Sequence, residues 1–389
     1  MPLPRRKAVC RPLARQGAES GHNLVYPRRT LSRTLVRALG RGLLPLLFQV
    51  DVEGKENFPE GGPLLVVGNH RAVMEAVLIA VYTPWQIEPL GASDVPHERF
   101  VQLALDTYGY IPVNRGHFDR RALLQALDVL DQGGIVAIFP EGGIWDAGRM
   151  RAQTGVAWLS YRANAPVLPI GFGGTLGALG DALRLKRPRL TMRVGDVMDA
   201  ASLPEDQSRK GYLQAYAERT VDAIQALVPP EDRAQSPEVQ DERFELRVAV
   251  WEDGGVPASC PRELSIDHRE ALAELLHSAP ILKIFTSNLD LPTRPLQHLD
   301  RCPRPGEIAK AAASVLSYLD EDNPYLLTYR VGPGRAEAME RGLEELLELA
   351  HWARDTGLSI ELTPVRRYIL AETGEEITET QQGTFKGWM

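Results

Sequence analysis

A chain of 389 residues is longer than one ordinary domain and predicts two or three. Its 44% hydrophobic and 24% charged content allows a large core and confines disorder to ends and linkers. The net charge of -7 is unevenly spread: Arg5, Arg6, Lys7, Arg11, Arg15, Arg28, Arg29, Arg33, Arg37 and Arg41 face only Glu19 before Val50. A basic arm on an acidic protein predicts an anionic surface as partner, lipid headgroups before nucleic acid, since no nucleic-acid module or interleaved aromatics accompany it. Cys10, Cys260 and Cys302 are odd in number and far apart, so neither a disulfide framework nor a structural zinc site is expected, and a reducing cytoplasm fits. No stretch reaches the roughly 18–20 apolar residues needed to span a bilayer, and the basic start leads into no signal-peptide apolar region.

In chain order, residues 1–30 are expected to be a disordered basic arm. Leu35, Val36, Leu39, Leu43, Leu46 and Leu47 recur at helical spacing with Arg33, Arg37 and Arg41 between them. Two readings stay open for this helix: it lies in a membrane interface with a basic polar face, or it packs on the domain behind it. Alternating signals then run to residue 228. Leu64–Val67 is a buried strand feeding Gly68-Asn69, Val73–Tyr82 an apolar helix, Phe100–Tyr108 a helix and Ile111–Val113 a strand. Asp119–Gln132 is an amphipathic helix stopped by Gly133-Gly134, and Ile135–Phe139 a strand stopped by Pro140. Gly155–Ala163, Val167–Phe172, Arg189–Val194 and Lys210–Leu227 follow as helix, strand, strand and helix. This alternation predicts an α/β domain over residues 31–228 with a mixed, mostly parallel central sheet flanked by helices. Residues 229–242 are polar and read as a linker. Residues 243–389 form a C-terminal α+β unit, with strands near Phe244–Val250, Ile281–Phe285, Tyr325–Tyr329, Leu358–Leu362 and Arg367–Leu370, and helices near His268–His277, Gly306–Leu319 and Arg335–Thr356. Its acidic helix residues read as a solvated face, and Asp267, His268 and Glu270 as a helix start.

Four segments carry chemistry. In Gly68-Asn69-His70-Arg71-Ala72-Val73-Met74-Glu75 a histidine leaves a strand and a carboxylate follows five residues on. The two meet only if His70 sits in the turn before the helix and Glu75 one turn inside it. Taking a proton from a hydroxyl needs a general base and a partner that fixes the base's tautomer, and this pairing would supply both. In Val113-Asn114-Arg115-Gly116 an arginine fork suited to phosphate lies between strand and helix. Phe139-Pro140-Glu141-Gly142-Gly143 puts an acid and two glycines at a strand's C-terminal edge, where open α/β sheets place ligands. Ala165-Pro166-Val167-Leu168-Pro169-Ile170 carries no reactive group and fits a strand with rigid entry.

Together, in this order, the four segments resemble the phospholipid/glycerol acyltransferase family, whose best-known members are the 1-acyl-glycerol-3-phosphate acyltransferases. The resemblance extends to Val52-Glu53-Gly54 through Pro63 and to Arg151-Ala152-Gln153-Thr154-Gly155, and covers roughly residues 35–228. It implies His70 as general base steered by Glu75, with Asn69, Arg115, Gly116, Glu141, Gly142 and Gly143 binding substrate: Arg115 on phosphate, Glu141 on acceptor hydroxyls, and the amides near Gly142 and Gly143 on the oxyanion. It further implies transfer of a fatty acyl group from acyl-CoA or an acyl carrier protein to a hydroxyl of a lysophospholipid or glycerol-phosphate-type acceptor. No cofactor and no metal are expected, and the site is the inner face of the cell membrane, peripherally bound. The alternatives are an acyl thioesterase, which lacks a Gly-x-Ser-x-Gly elbow here, and a catalytically degenerate lipid-binding protein. Two departures bear on this. The family's aspartate is Glu75, and the threonine and arginine that follow FPEG are Gly143 and Ile144, leaving Arg149 or Arg151 to supply the missing charge.

Overall fold

The computed structural model describes residues 24–97, 99–115, 119–140, 152–203, 208–233, 239–252, 256–261, 264–296, 303–371 and 373–380. In chain order the first unit contains α1 (Thr30–Leu47), β1 (Gln49–Glu53), β2 (Leu64–Gly68), α2 (Met74–Tyr82), β3 (Glu88–Ala92), α3 (Arg99–Tyr108), β4 (Ile111–Val113), α4 (Arg120–Asp131), β5 (Ile135–Ile138), α5 (Gly155–Ala163), β6 (Val167–Gly173), α6 (Ala178–Leu183), β7 (Arg189–Val194) and α7 (Arg209–Leu227). The strands form one sheet in the order β1-β7-β6-β2-β5-β3-β4, parallel at every pairing except β6 with β7. This is the mixed, mostly parallel sheet that the alternation of strands and helices predicts.

The central strand β2 explains why its sequence is apolar throughout. Leu65 and Val67 pack with α4, α5 and α7 on one face, while Leu64 and Val66 pack with α2 and Leu44 of α1 on the other. A strand covered on both faces needs no polar alternation. The β2–β6 crossing is close: a Cβ on Gly68 would lie 2.6 Å from the Phe172 ring, so only glycine fits before the turn.

Two strands escaped the pattern. β3 carries a glutamate, a proline and a glycine, a composition that masks a strand, and the half-buried β1 is a sheet-edge strand. The C-terminal unit differs more. It comprises β8 (Val239–Glu252), β9 (Val256–Pro257), α8 (Arg269–His277), α9 (Ala279–Lys283) running into a π-turn at Ile284–Asn288, α10 (Pro305–Glu321), α11 (Leu326–Val331), α12 (Pro333–Thr356), β10 (Ser359–Leu370) and β11 (Glu376–Glu379). The sheet is antiparallel, ordered β11-β10-β8-β9. The expected strands at Ile281–Phe285 and Tyr325–Tyr329 are helical: Pro280 opens the first, and each buries apolar residues in the unit's core. A short apolar run does not by itself separate a strand from a buried helix. The two strands expected at 358–362 and 367–370 are one, β10, with a register shift between Arg367 and Ile369. Within the polar stretch 229–242, Pro229–Arg233 fold back on β6 through Gly174 N–H to Asp232 Oδ2 at 3.0 Å, and β8 starts at Val239.

Helix α1 packs on the domain, but with its faces reversed. Arg33 and Arg37 are buried, as is Leu44, while Leu35, Leu39, Leu43 and Leu46 are 53–67% accessible. Arg33 is fully buried against Glu88, also fully buried, and donates to Tyr108 O at 2.9 Å, its guanidinium 4.9 Å from the Tyr108 ring centroid. Arg37 donates to Thr83 O and Trp85 O, and Arg41 to Val81 O at 3.0 Å, satisfying carbonyls at and just beyond the C-terminus of α2 where positive charge is favoured. The basic polar face of the interfacial reading is therefore the inward stripe. Removing one partner of a buried ion pair leaves an uncompensated charge. We expect Arg33→Ala to cost about 3–5 kcal/mol in urea unfolding, and Leu35→Ser on the opposite face to change stability by no more than about 0.5 kcal/mol.

Candidate active site

The C-terminal ends of the parallel strands β2 to β6 lie along one edge of the sheet, and the site residues leave from there. β2 ends at Gly68, and the turn Asn69–Val73 reaches α2. Glu75 lies in the first turn of α2 with no exposed side-chain surface. Its carboxylate reaches back to accept from Arg71 N at 3.2 Å and Ala72 N at 2.9 Å, and from the Thr175 hydroxyl beyond β6. A buried carboxylate is tolerated only when so supplied with donors. The same carboxylate lies 3.5 Å (Oε2) from His70 Nδ1. The imidazole stacks on Phe139 at the end of β5, centroids 4.1 Å apart and planes at 12°, and keeps 22% of its side-chain surface open. His70 in the turn and Glu75 within the helix is the arrangement that the five-residue spacing demands.

Asn69, expected to bind substrate, is 2% accessible and its amide is taken by one backbone unit: Nδ2 donates to Phe172 O at 3.1 Å and Oδ1 accepts from Phe172 N at 2.8 Å. It fixes the edge that presents His70. Arg115 follows β4 and is held at two atoms by Asp94, Nε to Oδ1 at 2.7 Å and Nη2 to Oδ2 at 2.9 Å. Asp119 steadies that loop, capping α4 through Ala122 N at 3.0 Å and accepting from Asn114 N at 2.9 Å. Gly116, Glu141, Gly142 and Gly143 lie outside the described residues, as do Arg149 and Arg151.

Thr175, Asp94, His97 and Tyr329 were not singled out in the sequence. Missing β3 hid Asp94 and His97, which lie just beyond its end, and Thr175 carried only the signal of following Gly173-Gly174 after a strand. The His97 Nε2–H donates to Ala92 O at 2.8 Å. Burial holds its imidazole below the ordinary value, and the charges of Arg115 and His70 push the same way, against Asp94 and the Ala92 hydrogen bond. His97 thus lies within electrostatic reach of both His70 and Arg115. No group of His, Cys, Asp and Glu arranged to hold a metal exists among the described residues.

His277, in the C-terminal unit, is likewise depressed by burial and by Arg366. An unfolded histidine takes up its proton near pH 6.5, and both folded groups do so only at lower pH. Below about pH 6.5 the unfolded chain binds more protons, so stability falls with acidification until the folded values are passed. Urea unfolding at pH 7.5 and 5.5 should show a larger loss for the wild type than for His97→Gln/His277→Gln; equal losses would remove these two groups as the cause.

The sequence pattern of the acyltransferase family matches residues 49–173. Two curated relatives bear the name 1-acyl-sn-glycerol-3-phosphate acyltransferase. The one from Borreliella burgdorferi (strain B31) is 30% identical over 128 residues, which are 31% of this chain and 50% of the relative. The one from Bacillus subtilis (strain 168) is 22% identical over 181 residues, 46% of this chain and 89% of the relative. The chain therefore spans half the length of the first relative. The crystal structure of the 1-acyl-sn-glycerophosphate acyltransferase PlsC from Thermotoga maritima aligns with a TM-score of 0.39 at 20% identity, covering 51% of this chain and 79% of that one. Residues 49–173, from β1 through β6 with His70 and Glu75 among them, carry the acyltransferase family pattern, and both relatives are acyltransferases by name.

Proposed function

We propose that the protein transfers a fatty acyl group from an acyl thioester, acyl-CoA or an acyl carrier protein, to a hydroxyl of a lysophospholipid or glycerol-phosphate-type acceptor, with His70 as general base. The observation that carries this reading is the His70–Glu75 pair at the sheet edge: a partly open imidazole with one nitrogen turned to a buried carboxylate. The names of the two relatives agree with it.

In this mechanism Glu75 keeps the His70 proton on Nδ1 and leaves Nε2 to accept. His70 Nε2 takes the acceptor's hydroxyl proton as its oxygen attacks the thioester carbonyl carbon. The tetrahedral intermediate collapses, the C–S bond breaks, and the imidazolium returns the proton to the leaving thiolate. Charge on the transient imidazolium is offset by Glu75, and Phe139 fixes the ring plane. Arg115 binds the acceptor phosphate. Glu141, Gly142 and Gly143 follow directly on β5 in sequence and are assigned the acceptor hydroxyls and the oxyanion.

The substrates are amphiphiles, and the outward face of α1 supports binding at a membrane surface. Leu31, Leu35, Leu39, Leu43 and Leu46 are exposed along it, and no helix among the described residues is long and apolar enough to cross a bilayer. Exposed Leu183 and Leu185 lie near its C-terminal end, where Arg187 donates to Pro45 O at 2.8 Å; Arg184 and Lys186 pair with Asp181, and Arg189 with Asp51. A row of exposed leucines suits an apolar interface.

His70→Ala should lower acceptor-dependent thiol release from acyl-CoA by at least about 100-fold with an unchanged unfolding midpoint; a rate near wild type would remove His70 as the base, and release that ignores added lysolipid would point to hydrolysis instead. Leu39→Asp/Leu43→Asp should weaken sedimentation with phosphatidylglycerol vesicles by about tenfold or more. Unchanged sedimentation would mean that α1 does not face the bilayer.

A further inference from the structure

The C-terminal unit grips one loop of the acyltransferase domain, and that loop holds the arginine of the site. Asp94, Val95 and Pro96 lie between β3 and α3. Asn323 Nδ2 donates to Asp94 O at 2.7 Å, and Asn288 Nδ2 donates to Pro96 O at 2.8 Å. The Val95 side chain, 5% accessible, belongs to the hydrophobic core of the C-terminal unit rather than to either face of the sheet. The Asp94 carboxylate, 5% exposed, is the group that takes Nε and Nη2 of Arg115. Over the same guanidinium lies the ring of Tyr329 on α11, centroid 5.6 Å from Cζ. An arginine is thus fixed along one edge by the carboxylate of a residue whose backbone the second unit holds, and roofed on one face by an aromatic ring from that unit.

We propose that the C-terminal unit forms one wall of the acceptor head-group site, with Tyr329 as a specificity-determining residue and Asp94 as the residue that aims Arg115. This rests on the reading that Arg115 binds the acceptor phosphate. The pair with Asp94 is neutral overall, so long-range attraction contributes little to choosing a ligand. Selection falls to geometry: Asp94 takes the Nε–Nη2 edge of the guanidinium and Tyr329 covers one face, which restricts the directions from which a phosphate can approach. Attraction between ring and guanidinium keeps the fork in that plane. The acceptor class is a phosphorylated single-chain lipid, and the ring discriminates against an uncharged one of equal chain length.

The test uses the full chain. Short-chain lysophosphatidic acid and the matching monoacylglycerol are titrated, by calorimetry, into His70→Ala protein with and without Tyr329→Leu or Tyr329→Phe. Binding is read without turnover, so the result does not depend on the role of His70. Tyr329 is only partly buried, and unfolding midpoints matching the parent are the control that the variants are folded. We expect Tyr329→Leu to weaken lysophosphatidic acid by about tenfold, Tyr329→Phe to keep it, and monoacylglycerol binding to be unchanged. In the catalytically intact protein, the same Leu substitution should raise the KM for lysophosphatidic acid and leave kcat and the KM for acyl-CoA within about twofold. Equal affinities with and without Tyr329→Leu, equal weakening of both lipids, or no binding of lysophosphatidic acid to the parent would each overturn the proposal. Acyl transfer that persists with an unaltered KM in Tyr329→Leu sinks this inference alone; absence of transfer to any acceptor sinks the reading of the reaction, while the calorimetry still decides the role of Tyr329.

Discussion

The site is organised around one buried negative charge. The Glu75 carboxylate has no exposed surface, and burying such a group costs several kcal/mol unless donors surround it. The donors are Arg71 N, Ala72 N and the Thr175 hydroxyl. Two of them belong to the turn that carries His70, so the turn must curl with its amides toward Glu75, and the imidazole is carried to the sheet edge by the same curl. The third comes from Thr175, just beyond β6, and Asn69 clasps the Phe172 backbone within that strand. The carboxylate that the proposed chemistry calls for is therefore also the one that fixes the geometry.

Helix α1 obeys the same logic with the opposite sign. Its arginines recur every fourth residue and face carbonyls around the end of α2 together with the buried Glu88. A leucine stripe on that side would have left those groups without partners. The close approach at Gly40, where a Cβ would lie 2.5 Å from Val81, brings the guanidinium groups within reach. The cost of this arrangement is an outward row of leucines, a cost that a lipid surface would remove.

How much was legible follows from what each residue is doing. The βα alternation up to residue 228 was readable because the central strands are buried on both faces and the helices are amphipathic or apolar. The His70–Glu75 pairing was readable because five-residue spacing across a turn leaves one geometry. β3 was not readable, since Glu88 is there for Arg28 and Arg33 and not for the apolar core, and with it went Asp94 and His97. The inverted faces of α1 were illegible because periodicity gives the stripes and not the side each one takes. Ile281–Phe285 and Tyr325–Tyr329 show the other limit: their apolar runs satisfy a strand and a buried helix equally, and only packing against α8, α10 and α12 decides. Asn69 lay in the right motif, yet its amide serves the sheet.

The central claim is that a buried carboxylate selects the proton position on a partly open imidazole. Nitrogen-15 NMR of protein labelled at histidine, with the His70 signals assigned by loss in His70→Gln, reads this without substrate. At a pH where the ring is neutral, the account predicts the proton on Nδ1 and a free Nε2, reverting toward the ordinary Nε2–H form in Glu75→Gln. A neutral His70 carrying its proton on Nε2 in the wild type would contradict it, because the only nitrogen able to accept would then face Glu75 and not an incoming hydroxyl.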